Sequence, residues 1–163
     1  MAASRESLAR VAASVREEMT QVDRCAAAMR DALARWGPQD QEVITIHWVG
    51  GLLHDFYTGL EKAFSRISPE LNGRESASES WHRDLLHTMT LDLPGFRPRV
   101  LRPDLEGPLI EQLRFRHVYR NLYSFDLRWP RVRALAVGAM SIWADARADL
   151  EAFAAALGEL ASA

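Results

Sequence analysis

This sequence predicts an all-α fold, an up-and-down bundle of four to five helices, on three observations. Apolar residues recur at three- and four-residue spacings along almost the whole chain. Proline and glycine cluster between those stretches rather than inside them. No segment has the strict alternation of a half-buried strand. At 163 residues, the chain suits a single domain, 1–163, with length enough for a sizeable core.

The first helix is expected over about 4–36, with Leu8, Val11, Val15, Met19, Val22, Met29 and Leu33 on its packing face. Gly37-Pro38 ends it. The second is expected over about 40–67, where Val49, Leu52, Phe56, Leu60, Phe64 and Ile67 make a long apolar stripe. Gly50-Gly51 inside it marks a close approach or a local break, because glycine is costly in a helix. Ser68-Pro69 breaks this helix, and 72–78 reads as a polar loop. A short third helix is expected over 79–91, capped by Ser78. Four prolines and two glycines in 92–108 read as an irregular crossing. The fourth helix is expected over about 109–126. The fifth opens at Trp129-Pro130, proline being tolerated in a first turn, and its inner face runs from Val132 to Leu157.

The formal net charge is −2, which excludes a generic polyanion binder. The charge is uneven, however: 97–133 carries nine arginines against four acidic residues, a local excess of five. A local basic patch on a near-neutral chain points to a specific anionic ligand. Lys62 is the only lysine, and arginine is the better fork for phosphate. Cys25 is the only cysteine, so an intrachain disulfide is impossible and a reducing cytoplasm is expected. No apolar run approaches the roughly 20 residues of a membrane span. There is no nucleophile elbow or cysteine nucleophile motif. His82 and His87 are five apart without supporting cysteines, and His47 and His54 are seven apart, so no metal site is expected.

The chemistry concentrates in the fourth helix. At 3.6 residues per turn, Arg116, Arg120, Tyr123 and Leu127 fall in one row and His117, Asn121 and Ser124 in the next. Phe115, Val118, Leu122 and Phe125 fall on the packing side. Two guanidiniums, an imidazole, an amide and a phenol on one stripe can grip a phosphodiester. The alternative for the same pattern is a solvated helix face. Glu61 is placed to pair with a fourth-helix arginine and orient it, or to form a purely structural bridge.

These residues resemble the HEPN-domain toxins of the HepT-like group. In that family an arginine and a polar residue precede, after a short spacer, histidine-x-tyrosine. Arg116-His117 matches the first pair and Tyr123 the terminal tyrosine. Leu113-Arg114-Phe115-Arg116-His117 and Phe125-Asp126-Leu127-Arg128-Trp129 are also similar to the group. So are His54-Asp55-Phe56-Tyr57-Thr58-Gly59-Leu60-Glu61 and Trp81-His82-Arg83-Asp84-Leu85-Leu86. The resemblance covers most of the chain from the second helix onward.

It implies a homodimeric, metal-independent endoribonuclease that needs no cofactor, with arginine and histidine of both subunits facing a shared cleft. Arg116 would hold the scissile phosphate and stabilise its developing charge, supported by Arg114 and Arg120. The family's catalytic histidine falls at Asn121 here. An amide donates and accepts hydrogen bonds but cannot titrate near neutral pH. Weak or absent cleavage is therefore expected unless His117, one turn earlier, acts as the base. The resemblance also implies a minimal nucleotidyltransferase antitoxin that transfers AMP to the motif tyrosine, by position Tyr123. A charged AMP group beside Arg116 would compete with RNA phosphate. Two other readings remain open: a pseudoenzyme that binds the antitoxin or RNA without chemistry, and a helical interaction protein with no cleft.

Overall fold

The computed structural model describes residues 4–68, 79–123 and 126–163. Among the described residues, five helices follow one another: α1 (Arg5–Arg35), α2 (Val43–Ile67), α3 (Glu79–Met89), α4 (Glu106–Tyr119) and α5 (Trp129–Ser162). A 3-10 turn, Pro103–Leu105, leads into α4. Among the described residues there is no strand, only an isolated bridge between Leu93 and Arg97 closed by Gly95 at positive φ. The expected mainly α-helical bundle is the fold that forms.

α1 begins where the Ser4 hydroxyl accepts from the Ser7 N–H at 3.1 Å, satisfying one of the helix's otherwise unpaired first-turn donors. Its packing face gains Ala12, Ala26 and Ala32, small residues that let α1 lie close to α2 and α5. α2 packs against all four other helices, and its residues from Val49 to Phe64 are the centre of the core. That centrality requires close approach. A Cβ on Gly59 would lie 2.6 Å from Val22 Cγ2, and one on Gly50 would lie 2.9 Å from Tyr119 Cε2. Gly50-Gly51 therefore marks a helix contact, and α2 runs through it unbroken. The Trp129 indole N–H donates to the Gly37 carbonyl at 2.8 Å, tying the start of α5 to the end of α1.

Several boundaries differ from those expected. α2 starts at Val43 and α3 ends at Met89. Ser78, expected to cap α3, lies outside the described residues, as do Pro69 and 72–77. Gly107-Pro108, expected in the crossing segment, belongs to the first turn of α4. Proline loses nothing there, because first-turn N–H groups have no intrahelical acceptor. The larger correction is at the other end of α4, which stops at Tyr119 instead of running to 126. The Arg120 N–H is shared between the Arg116 and Val118 carbonyls, and the Asn121 N–H donates to Val118 at 3.0 Å. The Asn121 amide then donates to the His117 carbonyl at 3.0 Å. Asparagine side chains compete for backbone groups in this way, which ends a helix. The expected stripe thus exists only as far as Tyr119, and Ser124 and Phe125 lie outside the described residues. Val118, expected to pack, is 49% exposed, while Tyr119 turns inward onto Gly50.

Candidate functional site

Among the described residues, the buried charged side chains, Glu61 and Arg116, lie where α2, α3 and α4 meet. Glu61 lies beside the apolar row of α2 and is 9% exposed. One of its carboxylate oxygens meets Arg116 Nη2 of α4 at 3.3 Å. The other meets His82 Nδ1 of α3 at 2.8 Å. Arg116 is itself 8% exposed, and its Nε donates to the Thr58 hydroxyl at 3.2 Å. The His82 and His117 rings stand edge to face, 5.1 Å between centroids. One carboxylate therefore anchors both a guanidinium and an imidazole from two different helices.

The cluster is assembled by ordinary helix periodicity. Tyr57, Thr58 and Glu61 fall on one side of α2 at spacings of three and four. Arg116 and His117 occupy the last turn of α4, where the helix dipole favours cations. A buried carboxylate and a buried guanidinium are each costly alone, and pairing with further hydrogen bonds makes them tolerable. Beside Glu61, Arg116 Nη1 and the Tyr57 hydroxyl are buried with no hydrogen-bond partner among the described residues. Burial, and then the negative charge of Glu61, push the Tyr57 phenol far above its ordinary range, while Arg116 opposes this. Tyr57 is accordingly a neutral wall of the site.

The other residues singled out from the sequence sit at the rim or outside. Arg120, Asn121 and Tyr123 follow α4 and are exposed, Tyr123 by 72%. Arg114 is exposed and pairs with Glu111 one turn before it. The structure brings Glu61, Arg116 and His117 together and leaves Arg114 apart from them on the surface. Among the described residues, no group of three or more histidines, cysteines or carboxylates is arranged to hold a metal. His87 instead meets Glu106 at 2.9 Å and His54 meets Asp55 at 3.0 Å. Cys25 is half-buried, and burial followed by the charge of Asp55 pushes its thiol above the usual range, against a smaller pull from the backbone. That is the reverse of what a nucleophilic cysteine needs.

His82 is the residue that sequence reasoning missed. It stands 21 positions from Glu61, and its neighbourhood, though similar to the family, offered no partner but His87 at an unsuited spacing. The available signal was Glu61 itself, an acid one residue from Leu60 and three from Phe64, which required a polar partner from elsewhere.

A family model described as HepT-like protein matches residues 49–157, two thirds of the chain. No curated protein and no solved structure matches it. The matched span runs from the first half of α2 through most of α5 and contains every residue of the buried cluster. With that match and the all-helical bundle around Glu61, His82 and Arg116, the chain belongs to the HepT-like family of HEPN-domain proteins.

Proposed function

We infer that this protein is the toxin component of a toxin–antitoxin pair, a homodimeric endoribonuclease scaffold that grips RNA phosphate through Arg116. The observation that carries the reading is the state of that side chain. Glu61 and Thr58 hold the guanidinium in place by Nη2 and Nε, and Nη1 is a buried donor with no partner among the described residues. An unmatched buried donor costs about 1–3 kcal/mol. A phosphate oxygen would remove that cost and accept a charge-assisted hydrogen bond. Arg120, exposed just beyond the helix, adds a supporting positive charge, and Arg114 a more distant one.

Asn121 stands where the family's histidine would act, and it is engaged as a cap on the His117 carbonyl. It cannot move protons, so cleavage is weak in this chain as it stands. The exposure of Tyr123 suits an acceptor of AMP from a minimal nucleotidyltransferase antitoxin, which would set a phosphate next to the arginines and block the cleft. The same reading puts the protein in the cytoplasm, as one domain over 1–163. The packing of α1 on α2 and α5 supports including the part that precedes the family match. No described helix is long and apolar enough to cross a membrane. The second reading, a pseudoenzyme that binds RNA or the antitoxin without chemistry, is favoured by Asn121 alone.

RNA binding at neutral pH and an endonuclease assay in EDTA test the proposal together. Binding should weaken steeply with salt, with a linear log–log slope. Arg116→Gln should weaken it at least tenfold while keeping the helical circular-dichroism signal. Asn121→His should raise cleavage by about 100-fold or more. Folded protein that neither binds RNA nor cleaves as Asn121→His would overturn the reading.

A further inference from the structure

We propose that His82 is the proton-transfer residue of this protein, doing at a different place in the fold the work that Asn121 cannot do. The proposal rests on the ribonuclease reading above and adds a residue from α3, outside the arginine-to-tyrosine motif.

The geometry is that of an oriented base. A general base works when a third group fixes its ring and tautomer. Glu61 takes His82 Nδ1 at 2.8 Å, so the proton on a neutral ring lies on Nδ1 and Nε2 is left with the lone pair. The same carboxylate takes Arg116 Nη2 at 3.3 Å. Base and phosphate clamp are thus set relative to each other by one rigid group, which is the arrangement in-line attack requires. His82 keeps 17% of its side chain exposed and Arg116 9%, so both side chains reach the edge of the bundle at the same place. It meets Glu61 of α2 and His117 of α4 directly, and through Glu61 it is linked to Arg116 of α4 and Tyr57 of α2.

In the step itself, the ribose 2′-oxygen bonds to phosphorus and the bond from phosphorus to the 5′-oxygen breaks. The 2′-hydroxyl proton passes to His82 Nε2, the leaving 5′-oxygen takes a proton from water, and the hydroxide so formed takes the proton back from His82. The products are a 2′,3′-cyclic phosphate and a 5′-hydroxyl. Arg116 holds the nonbridging oxygens throughout.

The test uses the full chain and a fluorogenic RNA in EDTA, with His82→Asn, His82→Ala and Asn121→His beside the unaltered protein. Asparagine puts an amide nitrogen where Nδ1 stands, keeping the bond to Glu61, and has nothing at the Nε2 position. Expected is slow cleavage by the unaltered chain. His82→Asn should lower it about 100-fold or more, while RNA binding stays within about threefold. Added imidazole should restore part of the rate to His82→Ala, which a merely structural histidine would not allow. Equal cleavage by the unaltered chain and His82→Asn overturns the role of His82 and leaves the ribonuclease reading standing. So does cleavage by Asn121→His alone. Cleavage by none of the folded proteins overturns both.

Discussion

Arg116 joins the stability of this protein to its proposed chemistry. Its guanidinium and the Glu61 carboxylate are both nearly buried, and each is tolerated because the other is present. Removing one member of a buried pair leaves the other charge stranded, at roughly 3–5 kcal/mol. Arg116→Ala should therefore lower the unfolding free energy by about that amount in urea titration. A loss under about 1 kcal/mol would mean that water reaches Glu61 and that the pair is a surface bridge. Glu61→Gln should cost less, because the amide oxygen can still accept from one of the two partners. This is why Arg116→Gln, rather than the alanine variant, is the variant for measuring RNA binding.

At the scale of elements, spacing between helices sets where the site sits. α2 touches every other helix, and its glycines let them come near. At Gly59 an added Cβ would meet Val22 Cγ2 at 2.6 Å, and a β-branched side chain on a helix has little freedom to yield. Overpacking of about 1–3 kcal/mol then exceeds the gain of about 1 kcal/mol in helix propensity. Gly158 of α5 has nothing within 4 Å of the same position. Gly59→Ala should lower the melting temperature and Gly158→Ala should raise it, the second by stabilising the fold by up to about 1 kcal/mol. The same sign for both would show that propensity, and not helix separation, governs these positions. α4 shows the reverse control, a helix ended by a side chain. Asn121 takes the His117 carbonyl, and the motif residues after it leave the helical row. That expected row extended the periodicity of the preceding turns past the point where an asparagine could compete for the backbone.

For the molecule as a whole, the segment between α3 and α4 is held to both of its neighbours. The Val100 and Leu101 N–H groups donate to the Met89 carbonyl at the end of α3. Arg102 grips Asp149 of α5 through its side chain and its backbone N–H, the latter at 2.8 Å. Burial by itself pushes the Asp149 carboxyl up, but the Arg102 hydrogen bonds outweigh it and hold the group below its ordinary value. A carboxyl depressed in the folded state contributes stability above its unfolded value, about 4, and loses it as pH falls through the lower folded value. The stability difference between the unaltered protein and Asp149→Asn should be full at neutral pH and shrink on acidification below about pH 4. A difference that stays constant from pH 7 to pH 2 would remove Asp149 from the acid response.

What the sequence by itself determined is the class of fold, the five helices and the residues that line the core. Those follow from local periodicity: Val15, Met19 and Val22 on α1, Phe56, Leu60 and Phe64 on α2, and Val132 to Leu157 on α5 lie as their spacing requires. The pairing of Glu61 with a fourth-helix arginine was also legible, because an acid within an apolar helix demands a partner. What only the tertiary structure decided is which groups share that carboxylate. His82 reaches Glu61 because α3 is packed against α2, a relation between residues 21 positions apart that no spacing rule contains. Tyr119 turns inward because Gly50 leaves room for its ring, and Val118 is exposed in its place. Periodicity fixes the face of a helix on which a side chain lies, but only the packing of helices fixes what that face meets.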